Sequence, residues 1–237
     1  MGMTLTEVLD AVQGRVSHLR AITDPSPGDD WLACDAISPA DLDAAIGPAT
    51  DQVRDRAISA SLLAQSYAHR VTSVSLASYA IGCPWPSPDA HATSIRLAGG
   101  RARALCFRGE TLGGPGDTAG LIDAVFTRHL LGFTATVRQA QRLGQRLIWA
   151  NVASSCASAF RAIEGAARDR GDTAEQRRAR QAGAEFMRRA PWLEGTGGFE
   201  EDSGDWRWQR TACCLWYLTS GGRTCDNCSL PKTRKHP

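Results

Sequence analysis

At 237 residues the chain suits one large domain, or one domain with a small appendage, and it is long enough to bury a core without staples. With 27 Lys and Arg against 25 Asp and Glu, a net charge of +2 supplies no bulk field for nucleic acid. No apolar run reaches the length of a membrane span. The opening Met-Gly-Met-Thr-Leu-Thr-Glu also lacks the basic region and apolar stretch of a secretory signal, so the expectation is a cytoplasmic protein with no transmembrane segment.

In chain order, Leu5, Val8, Leu9, Val12, Val16 and Leu19 recur at helical spacing, which predicts a helix over 4–22 capped by Thr4 and Glu7. His18 falls on its surface. The turn-rich stretch from Asp24 to Asp30 reads as a linker. Ser38-Pro39 marks another helix start, and an Ala-rich helical pattern runs from after Pro48 to about Ile81. Within it His69 reads as a hydrogen-bonded structural histidine. Three prolines in Gly82–Pro88 end the helix. Residues 93–107 predict a hairpin turning at Gly99-Gly100, with Ala98 facing Arg101, Leu97 facing Ala102, Arg96 facing Arg103 and Ile95 facing Ala104. That register gives one apolar face and one basic face of Arg96, Arg101 and Arg103, either solvated or a wall for an anionic ligand.

Gly113-Gly-Pro-Gly-Asp-Thr lacks the Gly-Lys-Ser/Thr ending of a phosphate loop, and Asp117 or Thr118 reads instead as a helix cap. A helix over 118–141 follows, with Leu121, Val125, Leu130, Phe133 and Val137 as its core stripe and His129 as a structural neighbour. The helix after Gly144 carries one interior amide, Asn151, expected to bond between helices. Residues 173–190 form an arginine-rich helix with a solvated face. Trp192 to Asp205, rich in Gly and acidic residues, reads as an exposed link. The acidity of this run also argues against Trp206, Trp208 and Trp216 as a nucleic-acid stacking surface.

Half of the eight cysteines fall within sixteen positions at the end: Cys213-Cys214, ten residues, then Cys225-x-x-Cys228. Cys34, Cys83, Cys106 and Cys156 are scattered and read as small buried hydrophobes. Four thiolates together make a soft anionic donor set, suited to zinc or an iron–sulfur cluster and not to magnesium or calcium. Gly221 and Gly222 stand midway, where the backbone reverses. The vicinal pair has none of the slack usual between zinc knuckles, and a two-iron cluster seats close ligands more easily. On spacing alone both metals stay open, with a disulfide framework behind them.

The Cys-Cys-x10-Cys-x2-Cys ending, with Trp208, Arg210, Leu215 and Tyr217 around it, resembles the C-terminus of FhuF-type ferric-siderophore reductases. The stretches from Arg56 to Arg70 and from Arg146 to Ser154 are similar in support, so the likeness runs from about residue 50 onward. The resemblance implies a 2Fe–2S cluster on Cys213, Cys214, Cys225 and Cys228. It further implies one-electron reduction of a ferric siderophore to release ferrous iron. With no Gly-x-Gly-x-x-Gly after a strand, electrons are expected from a separate ferredoxin or reductase. The expected architecture is mainly α (α+β): an N-terminal helical subdomain over 1–50, a helical core with a β-hairpin over 51–192, and a C-terminal cluster-binding segment over 193–237. The rival functions are a zinc-stabilised interaction protein and a 2Fe–2S electron carrier without a siderophore substrate.

Overall fold

The structure, a computed structural model, describes residues 2–25, 30–47, 56–202, 204–219, 222 and 224–230. It is mainly α, with small sheets of two or three strands. Helix α1 (Leu5–Gln13) opens on the expected box: Glu7 N–H donates to Thr4 Oγ1, and the Glu7 carboxylate accepts from Thr4 N–H at 2.7 Å. It stops at Gly14, short of the expected residue 22. Val16 and Leu19 still bury, but from turns whose N–H groups bond back to Val12 and Val16. This early ending frees Ile22 to bridge Cys106 at the edge of a sheet. Helix α2 (Pro39–Ile46) starts at Ser38 as expected, with Asp41 completing a second capping box.

Helix α3 (Arg56–Ala80) is continuous and buried along most of its length. Residues 48–55, where its pattern was expected to begin, lie outside the described residues. Its partner is α6 (Gln145–Asp169), the most extensive helix contact in the fold. Both contact faces are built of small residues. Ala60, Ala64, Ala68 and Ser61 on one side and Ala150, Ala153 and Ala157 on the other bring the backbones close together, and a helix buried all round needs this. Between them comes a helical run: α4 (Thr118–Ile122) capped by Asp117, a π-helical stretch Asp123–Leu130, and α5 (Leu131–Ala140). All five residues of its expected core stripe are buried. Helix α7 (Thr173–Arg189) packs on α6, and three of its five arginines are engaged, while Arg177 and Arg188 stay on the exposed face. Arg180 bridges Glu164 and Glu201, Arg178 donates to the Ile81 carbonyl, and Arg189 pairs with Glu185.

The expected hairpin forms from β3 (Thr93–Ala98) and β4 (Arg101–Phe107), but a third strand joins it: β1 (Trp31–Ala33) pairs with β3, so the order is β1-β3-β4. The register holds next to the turn and then slips. A bulge between Arg96 and Leu97 pairs Arg96 with Ala104 and Ile95 with Leu105, leaving Arg103 as the extra residue. The basic face therefore splits: Arg96 lies near the Trp31 ring, while Arg101 turns towards the α3–α6 side described below. A minimal pair, β2 (Trp85–Pro86) with β5 (Leu112–Gly113), closes the other end of α3.

The exposed link expected over 192–205 is instead half of a second hairpin. Strand β6 (Gly197–Asp202) pairs with β7 (Asp205–Arg210), and Phe199 stacks on Trp206 with ring centroids 3.8 Å apart. Trp206 in turn presses on Gly183 of α7, where an added Cβ would meet its ring at 2.9 Å. Among the described residues no helix is long and apolar enough to cross a membrane.

His129 is buried, and both ring nitrogens are engaged: Nδ1–H donates to the Pro88 carbonyl oxygen, and Nε2 accepts the Tyr67 hydroxyl at 2.7 Å. Removal from water depresses its pKa from 6.5 to about 4, and burial does the same to His69. Below pH 6.5 the unfolded chain therefore takes up protons that the folded chain refuses, so stability is lost as pH falls towards 4. Each histidine contributes a slope of about 1.4 kcal/mol per pH unit in that window. Urea titrations between pH 6.5 and 5.5 should show this fall, with the slope roughly halved in His129→Asn. An unchanged slope in that variant would clear His129 as a source.

Candidate metal centre

Strand β7 aims at the helices with every second residue: Trp206, Trp208 and Arg210 are all buried, and the residues between them are not. An arginine thus stands where the alternation calls for a third apolar side chain. The chain then leaves the hairpin, and Cys213 and Cys214 follow within four positions. Leu215 adopts φ 69°, the one positive φ among the described non-glycine residues, at a cost of about 1–2 kcal/mol. This left-handed step turns successive amides towards the sulfurs, a backbone arrangement that favours anions. Leu215 N–H donates to Cys213 Sγ at 3.4 Å, and Trp216 N–H bears on Cys214. At the other pair Leu230 N–H donates to Cys228 Sγ, also at 3.4 Å. The reversal between the pairs needs Gly222, where a Cβ would lie 2.1 Å from the Trp216 carbonyl oxygen. Gly221, the other glycine expected to make this turn, lies outside the described residues.

Cys214 is the deepest of the four, at 3% exposure, while Cys213, Cys225 and Cys228 are half-buried. Cys214 Sγ and Cys225 Sγ stand 4.0 Å apart. Two thiolates on one tetrahedral metal at ~2.3 Å are separated by about 3.8 Å, so this pair is already at bridging distance for a shared metal. No three ligating side chains among the described residues gather closely enough for a single ion. Cys213 also bears on the Cys214 sulfur, so the close contacts of the set centre on Cys214. Hydrogen bonds from the Cys213 and Cys225 thiols hold the Cys214 thiol far below its usual pKa against the opposing effect of burial, helped by the Trp216 amide and the Arg210 charge. The same contacts, with burial, push Cys213 and Cys225 up.

The segment is tied to α3 and α6 by one buried polar network. Ser61 Oγ donates to the Cys214 carbonyl at 3.0 Å, and Asn151 Nδ2 donates to both the Ser61 carbonyl and its hydroxyl. Asn151 Oδ1 accepts from Arg210 Nη2. Asn227 Nδ2 donates to Ser154 Oγ at 2.8 Å, and Gln209 to the Cys228 carbonyl. Arg210 is 2% exposed, yet its Nε and Nη1 have no partner among the described residues. An uncompensated buried guanidinium costs several kcal/mol; its field helps to lower the Cys214 pKa and opposes, without reversing, the rise at Cys225. The buried Arg210 charge and the amides at Cys213 and Cys228 suit anionic sulfur donors.

Cys214 and Cys225 also wall a cleft of about 520 Å³ between α3, α6 and the cysteine segment. Its other walls include His69, Arg101, Arg161 and Trp216. His69, expected to be a hydrogen-bonded structural histidine, has no such partner among the described residues. No family model matches the chain, and neither a curated protein nor a solved structure matches it.

Of the residues singled out in the sequence, the four cysteines lie in one segment with Cys214 and Cys225 side by side, and Asn151 makes the expected interhelical bonds. Cys34, Cys106 and Cys156 are buried as expected, whereas Cys83 is only partly buried. The basic tail of Lys232, Arg234 and Lys235 lies outside the described residues. The roles of Ser61, Asn227 and Arg210 were missed. For Arg210 alone a signal existed, the charged residue at an inward position of Trp-x-Trp-x-Arg.

Asn151→Ala removes the acceptor that holds Arg210 and the donor that holds Ser61. It should destabilise the protein by about 3 kcal/mol, the cost of leaving a buried charged group without its hydrogen-bond acceptor, as read by urea denaturation. A loss under about 1 kcal/mol, the size of one ordinary hydrogen bond, would mean the network carries little energy.

Proposed function

We propose that the chain is a ferric-siderophore reductase of the FhuF type, with a 2Fe–2S cluster held by Cys213, Cys214, Cys225 and Cys228. The observation that carries this is a buried Arg210, its Nε and Nη1 without a partner among the described residues, acting on Cys214 and Cys225 in the wall of a cleft. The cluster would supply a one-electron store, refilled by an external ferredoxin or reductase. A ferric siderophore in the cleft takes up one electron, its iron becomes ferrous, and the hard oxygen donors lose their hold.

The chain's own residues have separate tasks in this reading. Cys214, fastened through its carbonyl to Ser61, fixes the buried side of the centre. The amides of Leu215 and Leu230 stabilise thiolate charge, and Arg210 offsets the net negative charge of the set. Trp208 and Trp216 limit water beside the sulfurs while leaving the cleft open for the chelate. No acid–base residue is required.

The rival centre is zinc. Protein purified aerobically should be red-brown, with visible absorption and about two irons and two sulfides per chain. A colourless protein with one zinc would refute the reductase. Cys214→Ser should abolish that colour while leaving the helical circular-dichroism signal largely intact. Full colour and turnover in the variant would remove Cys214 from the ligand set. Arg210→Met removes a buried positive charge, so an added electron is less stabilised. The reduction potential should fall by about 60 mV, the one-electron equivalent of a tenfold change. Spectropotentiometric titration reads it, and an unmoved potential would detach Arg210 from the centre.

A further inference from the structure

The cleft beside Cys214 and Cys225 is richer in donors than a site for a neutral ligand needs. Arg101, at the start of β4, enters its wall half-buried and has no carboxylate partner among the described residues. Burial and the neighbouring charge of Arg103 both bear against its positive charge, which the Cys214 sulfur supports. Arg70, one residue from the cleft-lining His69, is likewise half-buried and without a carboxylate partner there. Across the cleft Arg161 spends only Nε, on the Trp206 carbonyl at 3.0 Å. Trp208 Nε1, buried in the wall, has no partner among the described residues.

Several polar groups that would favour a neutral or cationic guest are committed elsewhere. Ser155 Oγ is given to the Gln65 and Asn151 carbonyls, and Ser154 Oγ receives Asn227. Asp226 is the single carboxylate in the lining. A volume of about 520 Å³ lies in the range of sites for compact organic ligands.

We propose that this cleft selects ferric chelates of net negative charge, whose outward phenolate or carboxylate oxygens are met by Arg101 and Arg161. The inference rests on the reductase reading for the identity of the guest, and the arginines explain how an anion approaches a centre that is itself anionic. Arg101 lines the same cleft as Cys214, and its charge offsets the repulsion between the two negative charges.

The test uses gallium, which takes iron's place in such complexes and accepts no electron under these conditions. Gallium tris(catecholate), net −3, and uncharged gallium tris(acetohydroxamate) are titrated into the metal-loaded protein, with calorimetry and tryptophan quenching as readouts. The anionic complex should bind at least tenfold tighter, and its affinity should fall as salt rises. Arg101→Gln should cost it about tenfold and leave the neutral complex unchanged, with Arg101→Lys recovering part of the loss. Equal affinity for the two complexes, or salt-independent binding of the anionic one, would overturn the proposal without any variant. Unaltered binding in a folded Arg101→Gln protein would overturn the role of Arg101. Because no electron moves, these outcomes are separate from the reductase reading. A colourless zinc protein that bound the anion would leave the cleft and remove the reaction, whereas a red protein that reduced iron without charge preference would do the reverse.

Discussion

A full positive charge at Arg210 sits almost out of reach of water, held by one amide oxygen and facing a set of thiols. Burial of that kind is tolerated only where negative charge and hydrogen bonds offset the lost hydration. The neighbouring arrangement follows from it. Asn151 must be on α6 opposite Ser61 on α3, so that one side chain holds the guanidinium and the other holds the cysteine backbone. The small residues along α3 and α6 are what allow the two helices to approach closely enough for that bridge. The polar link at the cysteine segment and the helix packing are thus one feature.

The second hairpin serves the same end. Strand β7 is pressed onto α6 and α7 by Trp206 and Trp208, and Gly183 leaves room for the first of these rings. Once the hairpin is seated, Arg210 can point only inward, and the cysteines that follow emerge at the mouth of the cleft. Cys214 is drawn in by its carbonyl, while its three companions remain half-buried. The cysteine segment thus has one side fastened to rigid helices and another near solvent.

Much of the helical frame was legible beforehand, because capping boxes and apolar spacing are local signals. Thr4 with Glu7, Ser38 with Asp41, and Asp117 all cap where the sequence places them. What escaped was decided at a distance. The three residues of β1 are too few to carry a pattern, and they become a strand only because β3 offers an edge. Strand β6 hides in a glycine- and acid-rich run, since its exposed face is charged and its buried face needs only Phe199 against the tryptophans. The bulge at Arg96 shifts the hairpin register by one, a choice made by the core beneath Ile95 and Leu105 and not by the Gly-Gly turn.

The amino-acid sequence by itself determined the mainly helical class, the helix starts and the grouping of four thiols near the end, because each depends on residues close together in the chain. It also marked the donor set as a soft one, because all four clustered side chains are thiols. Only the tertiary structure decided that Arg210 is buried beside those thiols, that Ser61 and Asn151 fasten them, and that Arg101 from a separate sheet shares their cleft. The last two relations join residues 90 or more positions apart, as in the bond from Asn151 to Ser61 and that from Ser61 to Cys214. They arise from the close approach of α3 and α6, which no local pattern encodes.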